Sequence, residues 1–140
     1  MVIITLFLFL IFLAISGLHF YWGFGGKWGN QGVVPTKVDG APVFIPGTIS
    51  TFIVAIGLLC FAIFYLIKYG FIKISLPAWT DQFGFWIIIS IFILRAIGDF
   101  NYVGFFKKHK SSKFAINDTK YYSPLCLLIG LLTLILELFN

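Results

Sequence analysis

Charged residues are scarce in this chain, and hydrophobic residues are abundant. Only 11% of its 140 residues are charged, whereas 60% are hydrophobic and the mean hydropathy is +1.02. Soluble proteins carry about 25% charged residues, and a small soluble domain exposes too much of its surface to hide so many apolar side chains. The composition therefore excludes a water-soluble fold and predicts a membrane protein with one domain, residues 1–140.

Cysteine is also scarce, and the residue sets of common catalytic and metal sites are missing. Cys60 and Cys126 are the only cysteines, which excludes a disulfide framework. The sequence contains no HExxH motif, Ser-His-Asp order or pair of catalytic carboxylates. His19 has no second ligand one helical turn away, and His109 lies in a basic loop, so we predict neither a metal site nor haem. No cofactor is predicted.

Four hydrophobic stretches are each long enough to cross a membrane. A hydrocarbon core of about 30 Å requires about 20 apolar residues in a helix, and lipid offers no partner for unpaired backbone groups. We therefore predict an all-α, polytopic membrane protein, an up-down bundle of four transmembrane helices in which Ser123 is the N-cap of the last. Its predicted spans are residues 2–22, 48–69, 79–100 and 121–139.

Lysine is distributed unequally between the two faces of this bundle. The face that carries residues 23–47 and 101–120, here called the lysine-rich face, has seven lysines, and the opposite face has Lys68 and Lys73. The positive-inside rule then predicts that the long loops are cytoplasmic and that both termini lie outside the bacterial inner membrane. Basic loops attract anionic lipid, so we predict membrane lipids as partners and no nucleic acid. The seven are Lys27, Lys37, Lys107, Lys108, Lys110, Lys113 and Lys120.

Polar side chains from several predicted spans fall at this same face. The first span ends just after a histidine, the third ends with an arginine and an aspartate, and the fourth begins after an aspartate. Tryptophan and tyrosine at these helix ends are typical of interfacial anchors. The predicted ligand-binding set is His19, Trp22, Lys27, Arg95, Asp99, Lys107, Asp118 and Tyr121.

Arg95 and Asp99 are four residues apart, a spacing that predicts an ion pair within one helix. An arginine inside a span is costly, so such residues usually face the bundle and have a partner. One interpretation is a charged pocket for a headgroup or a small anion. The other is a snorkelling arginine that Asp99 neutralises.

His19 and the glycine-rich run that follows the first span each permit two interpretations. His19 can act as a general acid or base, and it can equally serve only as a hydrogen-bond donor. The run at residues 24–29 can cradle a phosphate, although it matches no nucleotide-binding motif. It is more typical of a chain leaving a helix through tight turns.

Long segments of the chain resemble the signature of one family. Residues 95–107 (RAIGDFNYVGFFK) and 114–126 (FAINDTKYYSPLC), with HFYW at 19–22 and GGKW at 25–28, are similar to the DUF3995 family of small bacterial membrane proteins. That family has no known function, so the resemblance implies a fold and no activity. Its motif residues fall on His19, Trp22, Gly26, Arg95, Gly98, Asp99, Lys107, Asp118 and Pro124.

The function predicted from these patterns is binding. We expect a pocket at the cytoplasmic interface that holds an anionic lipid headgroup or a similar amphiphile. Two alternatives stay open. The protein can be a membrane-embedded enzyme for a lipid or quinone-like substrate, with His19 as the candidate acid or base, or it can be a structural subunit of a homo-oligomer or larger membrane complex.

Overall fold

Helices form every long element of the chain. The computed structural model describes residues 1–139, and within them four helices are long and apolar enough to span a membrane, the last of them continuous over Lys113–Leu138. The predicted all-α, four-span membrane fold is confirmed. The elements are α1 (Val2–Gly23), a 3₁₀ turn (Asn30–Gly32), α2 (Thr48–Lys68), α3 (Ala78–Ile97), α4 (Lys113–Asn117), a π-helical turn (Asp118–Tyr122) and α5 (Ser123–Leu138).

The long helices pack as two antiparallel hairpins, α1 with α2 and α3 with α5. In the first hairpin the hydroxyl of Ser16 donates to the carbonyl of Ala55 over 2.7 Å. In the second, a Cβ built at Gly130 would lie 2.6 Å from the side chain of Ile93, so the absence of a side chain lets these helices approach. Small residues and interhelical hydrogen bonds stabilise helix pairs in lipid, where apolar burial gives little driving force.

Aromatic side chains fill the seam between the two hairpins. The ring of Phe12 in α1 packs on Phe92 in α3 with centroids 5.3 Å apart, and Tyr65 in α2 packs on Phe85 in α3 at 5.3 Å. Each such pair contributes about 0.5–1.5 kcal/mol beyond its buried area. The hydroxyls of Tyr65 and Thr133 lie 2.6 Å apart, which links α2 to α5 at a fully buried position.

The third membrane helix ends earlier than predicted, at Ile97 instead of residue 100. Gly98 follows with φ +86°, and a Cβ there would lie 1.8 Å from the carbonyl oxygen of Val103. The chain turns back on the helix end, where the N–H of Phe105 donates to the carbonyl of Ala96 over 2.9 Å. Only glycine fits this close approach at a positive φ.

The fourth membrane helix begins earlier than predicted, at Lys113 instead of residue 121. Its N-cap is Ser112, whose hydroxyl accepts the N–H of Ala115 over 3.0 Å. Ser123, the predicted N-cap, is instead buried inside the continuous helix. Pro124 explains the π turn before it, because proline has no N–H and its ring clashes with the carbonyl four residues earlier. The N–H of Ser123 bonds to the carbonyl of Asp118 five residues back.

Candidate functional site

Asp118 is the centre of a buried ion-pair network at the lysine-rich face. Its Oδ1 accepts Nη2 of Arg95 over 2.8 Å, and its Oδ2 accepts the N–H of Gly104 over 2.8 Å and Nζ of Lys107 over 3.1 Å. The side chains of Asp118 and Lys107 are 0% exposed. Two cations therefore surround one carboxylate, and we call these residues, with Thr119, the Asp118 cluster.

Lys107 is not an exposed basic residue. Its ammonium donates to Asp118, to the carbonyl of Gly104 at 2.9 Å and to the hydroxyl of Thr119. Those three bonds use its three N–H groups. Lys107 was predicted to be a ligand-binding lysine, but its position assigns it to holding the loop at residues 98–107 against the start of the fourth membrane helix.

The predicted ion pair between Arg95 and Asp99 is wrong. Because α3 ends at Ile97, Asp99 does not lie on the same helical face as Arg95. Its Oδ1 instead accepts the backbone N–H groups of Asn101, Tyr102 and Val103, at distances of 2.8 to 3.0 Å. Desolvation acts to raise the pKa of this exposed carboxyl, but the backbone donors outweigh it and the pKa of Asp99 is lowered. Asp99 therefore shapes the turn that follows α3.

His19 lies in a different place from the Asp118 cluster. Its Nδ1 donates to the carbonyl of Ile15 over 2.8 Å, and its ring packs edge-on against Trp22 with centroids 5.2 Å apart. Among residues 1–139, Nδ1 is the His19 ring nitrogen that has a hydrogen-bond partner. His19 faces a cleft of about 310 Å³, here called the histidine cleft, whose other lining residues are Trp22, Asn30, Val33, Val34, Phe44, Pro46, Ser50, Thr51 and Val54.

The glycine-rich run folds into an ordered turn over the end of α1. The indole Nε1 of Trp22 donates to the carbonyl of Trp28 over 2.8 Å, and the N–H of Trp28 donates to the hydroxyl of Tyr21 over 3.2 Å. Gly26 lies under the ring of Tyr21, and a Cβ there would lie 2.3 Å from it. This geometry favours the interpretation of the run as a chain exit from the helix.

Lys27 extends from this turn into a polar cleft of about 220 Å³, here called the lysine cleft. Gly32 lines this cleft, and the hydroxyl of Tyr122 donates to the Gly32 carbonyl over 2.8 Å. A Cβ at Gly32 would lie 2.7 Å from Nδ2 of Asn117, so the first loop packs directly on the fourth membrane helix. The lining residues are Lys27, Gly29, Gln31, Gly32, Lys113, Asn117 and Tyr122.

The charge in the lysine cleft is unbalanced. Lys27 and Lys113 both line it, and no aspartate or glutamate does. Within residues 1–139 neither lysine belongs to an ion pair. Two ammonium groups brought to one cleft without a carboxylate repel each other, so the arrangement is suited to a bound anion.

The sequence did not identify Lys113, Asn117 and Tyr122 as site residues. The fourth helix was predicted to begin at Tyr121, so the preceding residues were assigned to a loop. The available signal was Ser112, an N-cap residue directly before Lys113. Tyr121, which was predicted to bind ligand, is exposed instead and lies under Nζ of Lys120 at 5.1 Å.

The predicted site residues thus occupy separate places. Arg95, Lys107 and Asp118 form one cluster, in which Lys107 and Asp118 are buried and Arg95 is partly exposed, and His19 and Trp22 line a second region. Lys27 lies in the lysine cleft. Both cysteines are free, and residues 1–139 contain no group of histidine, cysteine and acidic side chains suited to a metal ion.

A family model described as a protein of unknown function, DUF3995, matches residues 12–133. The match includes the Asp118 cluster, both clefts and most of every membrane helix, and it confirms the resemblance carried by the sequence motifs. No curated protein and no solved structure matches the chain.

Proposed function

The chain belongs to the DUF3995 family, and we propose that it binds the phosphate-bearing headgroup of an anionic membrane lipid in the lysine cleft. The observation that carries this proposal is the convergence of Lys27 and Lys113 on one cleft that has no carboxylate. We further propose that this face is cytoplasmic in the bacterial inner membrane, because the lysines concentrate there.

The donors around the cleft suit a phosphate group. Lys27 and Lys113 supply positive charge from two segments that are far apart in the sequence. The amide of Asn117 adds a neutral donor, whereas the hydroxyl of Tyr122 already donates to the Gly32 carbonyl and only lines the cleft. Hydrogen bonds between charged donors and phosphate oxygens are about twice as strong as neutral ones, so each lysine contributes to retention.

The position of the cleft favours a lipid as the source of the phosphate. It lies where α1 ends and where the fourth membrane helix begins, and span ends are where we expect the headgroups. An anionic membrane surface attracts each nearby lysine by about 1 kcal/mol. The histidine cleft borders the same 3₁₀ turn, since Asn30 lines it while Gln31 and Gly32 line the lysine cleft, and its mostly apolar residues provide room for hydrocarbon.

The Asp118 cluster supports the proposal by positioning the cleft. Lys113 and Asn117 belong to the same continuous helix as Asp118. The bonds from Arg95 and Lys107 to Asp118 fix that helix against α3 and the loop after it. Arg95 and Lys107 are therefore proposed as positioning residues, and Lys27 and Lys113 as the residues that contact the headgroup.

The test is retention of phosphatidylglycerol by the purified protein, measured by native mass spectrometry. The double variant Lys27→Gln, Lys113→Gln is compared with Lys108→Gln, Lys110→Gln, which removes the same charge from exposed loop lysines outside the cleft. We expect the first variant to lose about tenfold or more in retention, as the loss of two charged contacts implies. The second should keep most of it.

Two results would overturn the proposal. Equal losses in both double variants would mean that the basic face attracts lipid without a defined site. Glycerol phosphate or inorganic phosphate retained as well as phosphatidylglycerol would mean that the ligand is a soluble anion.

A second candidate function is favoured by the geometry of His19. Its Nδ1 bond to Ile15 holds the ring in one orientation, and His19 lines a cleft that is large enough for a substrate. That is the arrangement of a general base. If the protein is an enzyme, incubation with total bacterial lipid extract should change a lipid species, and His19→Gln should abolish the change without loss of folded protein.

A further inference from the structure

A lateral groove opens between α2 and α3 in the half of the bundle away from the lysine-rich face. It has a volume of about 410 Å³, and almost all of its lining atoms are apolar. Gly84 lets the ring of Phe64 pack directly on α3 at the base of this groove, since a Cβ built at that glycine would lie 2.3 Å from the ring. Cys60 and Trp79 line its two walls.

A polar cleft of about 360 Å³ continues this groove at the end of α2. Ile67 and Leu76 line both spaces, so the two are contiguous. Nζ of Lys68 lies 3.1 Å from Oδ1 of Asp81 and also donates to the Asp81 carbonyl. The side chain of Lys68 is 15% exposed, whereas that of Asp81 is 67% exposed and keeps oxygen lone pairs available.

From this juxtaposition we infer that the groove and the polar cleft form a site for one zwitterionic phospholipid, such as phosphatidylethanolamine. The apolar groove receives an acyl chain, and the cleft receives the headgroup. Lys68 contacts the phosphate and Asp81 contacts the ammonium, so each charge of the ion pair meets its opposite. An anionic headgroup without an ammonium would leave Asp81 facing negative charge.

The dimensions favour an acyl chain over another protein segment. A helix with side chains is about 10–12 Å in diameter and rises 5.4 Å per turn, so about 410 Å³ holds only about one turn of it. A second transmembrane helix would need a much longer surface. On α2 the groove runs from Ile67 to Cys60, a distance of about 10 Å along the helix axis. That length fits within the hydrocarbon of a single leaflet.

This site is independent of the lysine cleft, since it lies at the opposite end of the bundle and carries a balanced pair of charges. The test is retention of phosphatidylethanolamine in native mass spectrometry, with Ile63→Trp to fill the groove. Ile91→Trp is the matched control, because Ile91 is exposed on α3 and does not line the groove. We expect Ile63→Trp to lower retention about fivefold or more and Ile91→Trp to leave it unchanged.

The headgroup is tested separately, in the Lys27→Gln, Lys113→Gln background so that the lysine cleft does not contribute. There we expect retention of phosphatidylethanolamine to exceed that of phosphatidylglycerol about fivefold, and Asp81→Asn to remove the difference. Equal retention of the two lipids before that substitution would overturn the inference, as would a protein dimer that Ile63→Trp dissociates. If Lys27→Gln, Lys113→Gln by itself abolishes retention of phosphatidylethanolamine, that lipid binds in the lysine cleft and not in the groove.

Discussion

Arg95 and Asp118 are 23 residues apart in the sequence, and Nη2 of the arginine donates to Oδ1 of the aspartate over 2.8 Å. This bond joins the last turn of α3 to the π turn before α5. It also fixes the rotation of the helix that carries Lys113, because that helix is continuous through Asp118. The geometry of the lysine cleft therefore depends on a pair that does not line it.

The Asp118 cluster predicts unequal effects for its two buried members. Asp118→Asn leaves two cations without a counter-charge and should cost about 3–5 kcal/mol of unfolding free energy. Lys107→Met leaves Asp118 paired with Arg95 and should cost less. Denaturation in mixed detergent micelles measures both. The reverse order of the two losses would contradict the assignment of Asp118 as the centre of the cluster.

Asp99 predicts a pH-dependent contribution to stability. Its pKa is lowered in the folded protein by three backbone donors, so the ionised carboxylate stabilises the turn above the ordinary aspartate pKa of 3.8. That stabilisation is lost as the pH falls through the lower folded value. The melting temperature of the wild type should exceed that of Asp99→Asn at pH 6, and the difference should shrink toward zero in strong acid. A constant difference at every pH would contradict the prediction.

The contact between Gly32 and Asn117 predicts that packing of the first loop on the fourth membrane helix affects lipid retention. Gly32→Ala places a methyl group 2.7 Å from Nδ2 of Asn117, at the end of a flexible side chain, so the Asn117 amide must turn away from the first loop. We expect a stability cost at the low end of overpacking, about 1 kcal/mol, and a loss of phosphatidylglycerol by native mass spectrometry, because Asn117 lines the lysine cleft. Gly17→Ala is the control, because a Cβ at Gly17 meets no atom within 4 Å. Lipid retention unchanged in Gly32→Ala would separate the loop from the binding site.

The hydroxyls of Tyr65 and Thr133 predict a measurable link between the two hairpins. Tyr65→Phe removes the bond between α2 and α5, whereas Thr133 keeps its bond to the carbonyl of Ile129. Interhelical hydrogen bonds of this kind average about 0.6 kcal/mol and reach about 1.7 kcal/mol. A double-mutant cycle with Tyr65→Phe and Thr133→Val should give a coupling energy in that range. Zero coupling would assign the stability of the seam to ring packing alone.

The fold was predictable from the sequence because hydrocarbon thickness fixes the length of each span. The helix ends were less predictable, since they depend on contacts made after folding. Gly98 ends α3 by packing on Val103. The hydrophobic periodicity of the sequence does not indicate that contact. Ser112 was a local signal for the start of the last helix, but the hydrophobic pattern begins later at Tyr121.

Two residues of the predicted site, Arg95 and Asp118, are in contact in the structure, whereas the predicted pair of Arg95 with Asp99 is wrong. Spacing along a helix predicts a pair only while the helix continues, and α3 ends at Ile97, before Asp99. The burial of Lys107 was also unpredictable, because its partners come from Gly104 and from Asp118 and Thr119.

The burial of Lys107 has a consequence for biogenesis. If the long loops are cytoplasmic, as we propose, Lys107 adds to the loop charge of Lys108 and Lys110 that orients the nascent chain. In the finished protein only Lys108 and Lys110 face water. On that orientation Lys107 contributes first to the topology of the nascent chain and later to the buried ion pairs of the folded protein, so its replacement by an uncharged residue would perturb two steps that are separated in time.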